Sequence, residues 1–397
     1  MKLAKRVQDI KESPTLAITA KAKALRAEGY DVIGFGAGEP DFDTPKNIKD
    51  AAITAIDDGF TKYTAVGGIN ELKDAVREKF RRDNGLEYER DEILVSCGGK
   101  HSLFNLCQAL FEEGDEVILP APYWVSYPVM IAITGATPVI VPAGEEEGFK
   151  MTSDQFRSAI TPGTKAVIIN SPSNPTGAAY NRDELKAIAD IAVERGLIII
   201  SDEIYEQLCY DNFHFVSVPS LSEEIKRQTI VLNGVSKTYA MTGWRIGYAA
   251  GPREIIKAMT NIQGQSTSNP ASISQKAALE ALSGPQGVVS EMVMEFDKRR
   301  RVMVDGLNAI DGISCATPRG AFYVFPNISG CLKSSFKGRV IDGSLAFADF
   351  LLDEAEVAVV PGEAFGAEGF MRLSYATSMQ NIEEGIRRIG EAVKKLA

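Results

Sequence analysis

Residues 229–248 read Thr229-Ile230-Val231-Leu232-Asn233-Gly234-Val235-Ser236-Lys237-Thr238-Tyr239-Ala240-Met241-Thr242-Gly243-Trp244-Arg245-Ile246-Gly247-Tyr248, with one lysine between two apolar runs. Ile230 to Leu232 has strand chemistry and stops at Asn233-Gly234, a turn signal. Trp244 to Ala249 reads as a second strand after the turn at Thr242-Gly243. Lys237 is therefore predicted in a loop at a strand end. Ser236 precedes it and Arg245 follows eight residues later. A hydroxyl and a guanidinium suit a phosphate, and an amine between them can attack a carbonyl carbon. Taken alone, Lys237 reads first as a solvated loop lysine and Arg245 as a surface ion-pair partner, since such side chains are mostly exposed.

Upstream, the chain supplies more strand ends of the same kind. From about residue 46, helical and strand-like segments alternate, the signature of an α/β layer fold. Helices are expected over 47–58 and 69–84, with Tyr63 in the glycine-containing loop between them. The strand 92–97 runs into Gly98-Gly99-Lys100 and a helix through Phe111, a place where free N–H groups and the helix dipole bind phosphate. The run 116–120 leads to Tyr123-Trp124, 138–141 is a further strand, 165–170 leads to Asn174, and 197–201 leads to Asp202 and Tyr205. Gly99, Trp124, Asn174, Asp202 and Lys237 thus all follow carboxyl ends of apolar runs. In a largely parallel sheet those ends share one edge, and ligands bind there. The competing reading of Asp202 is an N-cap for a helix over 203–208.

Both ends of the chain carry a smaller pattern. A helix over 14–27 is expected, capped near Ser13 or Thr15, and Val32 to Phe35 leads into an irregular Gly and Pro loop over 38–45 where Gly38 offers a bare N–H. Past Gly251 the chain turns helical, with runs over 272–281 and 288–309, the second crossing a domain boundary. Strand-like 320–325, a helix over 344–354, strands over 357–360 and 370–375 and a last helix from Gln380 follow, with Ser334 to Asp342 as a flexible loop. The 397 residues suffice for two domains: a large one over 46–290 and a small one made from 1–45 and 291–397.

Composition narrows the function classes. Lys plus Arg total 43 against 53 for Asp plus Glu, a net charge of −10, which disfavours a nucleic-acid surface and leaves room for a local basic pocket. Five cysteines without a Cys-x-x-Cys fit reduced thiols and a cytoplasmic setting. His101 and His214, far apart in sequence, do not suggest a metal centre. No secretory core and no run of about 18 apolar residues occurs. A nicotinamide dehydrogenase is disfavoured, since no Gly-x-Gly-x-x-Gly follows a first strand with an acidic residue after the next.

The string from Ser236 to Tyr248 closely resembles the cofactor-lysine segment of class I aminotransferases of the aspartate aminotransferase family. The resemblance runs nearly end to end through Gly38-Glu39-Pro40-Asp41-Phe42, Ser173-Asn174-Pro175-Thr176-Gly177, Ser201-Asp202-Glu203-Ile204-Tyr205 and Arg372-Leu373-Ser374-Tyr375. It points to the bacterial-type branch that includes aspartate/prephenate aminotransferases. It implies a fold-type I pyridoxal-phosphate transferase: a large domain with a mixed, mostly parallel sheet flanked by helices, plus a smaller α/β domain.

By that resemblance the cofactor is pyridoxal 5'-phosphate, held by Lys237 as a Schiff base. Lys237, once freed by substrate, is the general base. Asp202 would keep the ring nitrogen protonated, Asn174 and Tyr205 would bond the 3-oxygen, and Trp124 would stack on the ring. Gly99, Lys100, Ser236 and Arg245 would hold the phosphate, with Tyr63 reaching it from a neighbouring subunit in a homodimer. Arg372 would grip the substrate α-carboxylate, its alternative being an ion pair on a strand. Gly38, Trp124 and Asn174 would also touch substrate, and Lys100 with Ser13 and Thr15 would read a distal carboxylate. The activity implied is transfer from L-aspartate to 2-oxoglutarate, giving oxaloacetate and L-glutamate by a ping-pong mechanism. Alternatives are an aspartate/glutamate-prephenate aminotransferase, a lyase or aminocyclopropane-carboxylate synthase-like enzyme on the same fold, and a noncatalytic member of it.

Overall fold

Seven strands form the central sheet of the computed structural model, which describes residues 3–8, 10 and 14–396. They are β1 Ile93–Ser96, β2 Glu116–Ala121, β3 Thr137–Pro142, β4 Thr164–Asn170, β5 Ile198–Asp202, β6 Thr229–Gly234 and β7 Gly247–Ala250. Their order across the sheet is β1-β7-β6-β5-β4-β2-β3, and only β7 runs against both its neighbours. The sheet is thus mixed and mostly parallel, and helices cover both faces.

Alternation along the strands decides which helices each face meets. Leu94, Leu119, Ile168, Ile200, Leu232 and Ala249 pack with Leu103, Leu106, Tyr127, Ile256 and Met259 from the helices Gly99–Leu110, Ser126–Ala132 and Arg253–Ser266. Their strand neighbours face the other way. Val95, Val231 and Tyr248 meet Leu72, Val76 and Ala278, while Val167, Ile169 and Ile199 meet Leu185, Ile188 and Phe156. With both faces dry, the strands read as continuous apolar runs rather than alternating ones.

A second cluster joins the two ends of the chain. Tyr323–Val324, Met371–Ser374 and Val360–Pro361 form an antiparallel sheet, and Ile33–Gly34 pairs in parallel with Val357–Ala358. Phe296, Met303, Leu307, Phe347, Leu351, Ile382 and Ile389 pack against it, and so do Tyr205, Leu208 and Tyr210 from the loop after β5. This core reaches the edge of the large sheet, so its side chains overhang the strand ends. The residue 290 boundary falls inside the helix Gly287–Asn308.

Several local expectations are corrected. Trp244 lies in a single tight turn, Thr242–Trp244, and strand geometry starts only at Gly247, because Arg245 takes a left-handed backbone with φ of 58°. No helix forms over 203–208; the chain turns there and bridges from Cys209 to Gly320. The run 357–360 is split between two sheets. The segment 334–342 holds a short hairpin, Ser335–Phe336 with Arg339–Val340. The second helix ends at Lys79 and continues as a wider turn, Phe80–Asn84, in which the Asn84 amide oxygen reaches the buried Lys79 ammonium at 2.7 Å. The helices Ser153–Ala159 and Arg182–Glu194 escaped the sequence reading although Thr152 with Gln155, and Asn181 with Glu184, form capping boxes at their starts. The helix Pro14–Ala27 is present. The cap assigned to Ser13 and the side chain of Thr15 lie outside the described residues. Among those residues, no helix is long and apolar enough to cross a membrane.

Candidate active site

A cleft of about 880 Å³ opens at the carboxyl ends of the parallel strands, beneath the overhang of the smaller unit. Gly99, Lys100, Trp124, Asn174, Asp202 and Tyr205 line it, together with Ser236, Lys237, Arg245, Gly38 and Arg372. Strand register explains the convergence, since β4 and β5 end side by side at Asn170 and Asp202, and β6 passes them at Leu232 to end at Gly234. Tyr63 stands apart: it is 90% exposed and does not line the cleft of its own chain.

One end of the cleft is built for an anion. Gly98 precedes the helix Gly99–Leu110 with φ of 95°, and a Cβ there would collide with the Arg245 guanidinium. The first amides of that helix, from Gly99 and Lys100, have no intrahelical acceptor and point their partial positive charge forward. Arg245 is fixed by a 2.8 Å bond from Nη1 to the carbonyl of Thr242. Lys100 sits 4.9 Å over the Trp124 ring, and burial, followed by the charge of Arg245, pushes its ammonium below the ordinary lysine value.

Lys237 occupies the floor. Its Nζ donates to the Gly38 carbonyl, and desolvation pushes its ammonium down to about 8, with Arg372 and Arg245 adding to the effect and Glu39 opposing it. Asp202 is buried; its Oδ2 accepts a 2.7 Å bond from the Tyr127 hydroxyl and its Oδ1 accepts from the Ile204 amide. Burial raises its carboxyl above the usual range, against those bonds and the charge of Lys237. Asn170 ties the strand ends together, donating to the Asp202 carbonyl at 3.0 Å and accepting from the Asn174 amide at 2.8 Å.

At the other end lies Arg372, 2% exposed on the strand Met371–Ser374. Its guanidinium is sandwiched between Tyr323 at 4.5 Å and Phe365 at 5.1 Å. Nη1 donates to Asn174 Oδ1 at 2.9 Å and Nη2 to the Gly36 carbonyl at 2.8 Å, while the buried Nε finds no acceptor among the described residues. The ion pair considered for it does not form among the described residues: its partners are an amide and a carbonyl. A buried, uncompensated guanidinium of this kind is costly unless a carboxylate arrives.

The family model for "Aminotransferase class I and II" matches residues 30–389. The chain belongs to that family. This aminotransferase is 53% identical over 395 residues to an aspartate aminotransferase of Geobacillus stearothermophilus, covering 98% of each chain. It is 52% identical over 392 residues to an aspartate/prephenate aminotransferase of Nitrosomonas europaea, covering 98% of this chain and 99% of the other. Its fold matches the crystal structure of the aspartate aminotransferase from Rhizobium meliloti with a TM-score of 0.97 at 48% identity, over 100% of both chains.

Three cleft residues of this aminotransferase escaped the sequence reading. Tyr127 packs edge-on to Trp124 at 5.3 Å, and their three-residue spacing within Trp124-Val125-Ser126-Tyr127 was an available signal. Asn170, a polar residue ending an apolar strand, was another. Tyr323 lies inside the apolar run 320–325 and carries no local mark of a cleft position.

Proposed function

We propose that the protein transfers the amino group of L-aspartate to 2-oxoglutarate, giving oxaloacetate and L-glutamate, with pyridoxal 5'-phosphate as cofactor. The observation that carries this is Lys237, an amine whose ammonium is pushed down to about 8 by burial in a cleft with an anion socket at each end. The residues fit the cofactor. The space kept open by Gly98, the free amides of Gly99 and Lys100, and the side chains of Ser236 and Arg245 suit its phosphate, and Asp202 suits its ring nitrogen. When bound, the cofactor supplies an electron sink for the substrate's Cα.

The chain's own residues supply the rest. Arg372 and Asn174 would receive the α-carboxylate in a bidentate clasp and turn the Cα hydrogen toward Lys237. Lys237 would take that proton and return it one atom away, work that requires a neutral amine at working pH. Asp202, bonded by Tyr127 and the Ile204 amide, would hold a proton on the ring nitrogen. Trp124 would cover the ring face, and Tyr205 with Asn174 would bond its 3-oxygen. Lys100, with Ser13 and Thr15, would read the distal carboxylate, and Gly38 would wall the substrate side. The exposure of Tyr63 supports a homodimer in which it reaches a second copy's phosphate site. With one site serving donor and acceptor in turn, the kinetics would be ping-pong.

A second reading, prephenate as acceptor, draws support from the Nitrosomonas europaea relative's name and from the apolar wall of Tyr123, Val125 and Met130. One experiment tests both. The cofactor-loaded protein is mixed with aspartate alone, then with 2-oxoglutarate or prephenate. One equivalent of oxaloacetate per subunit, with further turnover only after an acceptor is added, is expected. Turnover without an acceptor marks a lyase, and no oxaloacetate at all overturns the proposal.

A further inference from the structure

Tyr205 and Tyr323 come from different parts of the molecule, the loop after β5 and the small antiparallel sheet. Both are buried, at 3% and 0% exposure, and both line the cleft. Their hydroxyl oxygens are 3.0 Å apart, and their rings stand nearly perpendicular at 79°. For each phenol, the other is its single hydrogen-bond partner among the described residues. Two hydroxyls sharing one bond leave one hydrogen over, and which phenol keeps it decides what the cleft presents.

Either phenol could be the donor, and the surroundings of Tyr323 favour it in that role. The Arg372 guanidinium lies 4.5 Å over the Tyr323 ring, and a cation on that face withdraws electron density and strengthens the hydroxyl as a donor. The flank of the same hydroxyl is closed by backbone, since a Cβ on Gly38 would sit 3.2 Å from it. With Tyr323 as donor, the Tyr205 hydrogen is left free for the cleft. A phenol that accepts one hydrogen bond also donates a stronger one, because bonds in a chain polarise each other.

We propose that Tyr323 is a positioning residue for this reaction: its hydroxyl donates to Tyr205 and so aims the Tyr205 hydrogen at the cofactor's 3-oxygen. The inference rests on the cofactor reading given above and assigns to Tyr323 a task apart from its packing on Arg372. Removing the Tyr323 hydroxyl takes away the hydrogen bond that Tyr205 accepts and weakens the hold of Tyr205 on negative charge at the 3-oxygen. The cofactor then keeps its proton to higher pH.

The test is a pH titration of the visible absorption of the cofactor-loaded protein, in wild type, Tyr323→Phe, Tyr205→Phe and the double variant. Tyr323→Phe should raise the midpoint by about half a unit to one unit, the worth of one neutral hydrogen bond. In the Tyr205→Phe background the same change should move nothing further, since the two hydroxyls act as one unit. Inhibition by maleate should be unaltered in Tyr323→Phe, because the ring over Arg372 remains. As a second probe, Tyr323→3-fluorotyrosine, a stronger donor of nearly the same shape, should lower the midpoint. An unmoved midpoint in Tyr323→Phe, an equal shift in both backgrounds, or a fluorotyrosine shift in the same direction as phenylalanine's would overturn the proposal. A wild-type protein with no titrating visible band would instead defeat the cofactor reading itself.

Discussion

Arg300 and Arg372 are both buried arginines, at 0% and 2% exposure, and they are treated in opposite ways. Arg300 is saturated: Asp211 takes it at 2.9 Å on both Nη atoms, Asp297 takes Nε, the Pro318 carbonyl takes Nη1, and the Tyr210 ring lies 4.7 Å beneath. Arg372 has an amide oxygen, a carbonyl and an idle Nε. The same contrast separates Lys79, locked onto Glu206 and Asn84, from Lys237, whose hydrogen-bond partner in the described structure is a carbonyl. Charges that hold the fold are paired within it. Arg372 and Lys237, which lack a carboxylate partner among the described residues, are the ones that line the cleft, as the proposed binding of an anion and a carbonyl there would require.

Each side of that contrast makes its own prediction. The largest effect is expected for Lys237→Ala: turnover should fall by more than the about 10² to 10⁴ contributed by a general base alone, since the proposed cofactor anchor is lost as well. Single-turnover oxaloacetate release measures it. The fold should survive, and the stability difference between wild type and variant carries a pH signature. Folding holds the Lys237 ammonium near 8, below its ordinary 10.5, so between those values the unfolded chain binds the extra proton. Cofactor-free wild type should therefore gain stability relative to the variant as pH rises through that window.

Next comes a crossed pair. Arg372→Leu should lower kcat/KM for aspartate by about 10² to 10³ and leave the melting temperature no lower, because it removes an unpaired charge. Arg300→Ala should do the reverse, costing about 2 to 5 kcal/mol in urea unfolding while KM for aspartate stays put, because it empties a fully buried site, although Arg301 still pairs with Asp211 and Asp297. A destabilised Arg372→Leu would break the contrast outright.

Lys100→Ala sharpens the division within the cleft. Loss of about tenfold or more confined to dicarboxylic substrates makes Lys100 a distal-carboxylate reader, whereas an equal loss with alanine makes it a phosphate ligand. The smallest effect is expected outside the cleft, at Glu203. Its Oε1 is filled by Ser201, Ser217 and the Val218 amide, its Oε2 is buried without a partner among the described residues, and burial pushes its carboxyl up to about 7. Since the folded state keeps this proton from 4.5 to about 7 while the unfolded chain loses it, wild-type stability should fall across that window. Glu203→Gln should flatten the fall, as read by denaturant titrations at the two ends of the window.

Much of the large sheet was legible because its strands are buried on both faces and announce themselves as runs such as Ile198-Ile199-Ile200. The placement of polar residues at their carboxyl ends followed from parallel topology alone. Short elements were harder. The helix Ser153–Ala159 has too few turns for a clear period, and the stretch from Trp244 looked like strand because nothing local marks Arg245 as left-handed. From its own neighbours in sequence Tyr63 reads as a loop residue; its reach into a neighbouring subunit came from the family resemblance, and its 90% exposure is consistent with that expectation.

By itself, the sequence determined the alternation of apolar runs and helices, the edge on which Lys237, Asp202 and Asn174 would meet, and the absence of any metal-ligand spacing among the cysteines and histidines. Those properties depend on neighbours within a few residues, and local spacing carries them. The tertiary structure alone decided which buried charges are paired. Arg372 meets Asn174 across 198 residues of chain, Tyr205 meets Tyr323 across 118, and Tyr127 meets Asp202 across 75. Contacts at such separations are set by how two sheets and their overhanging core come to rest against each other. No local period or propensity encodes that arrangement.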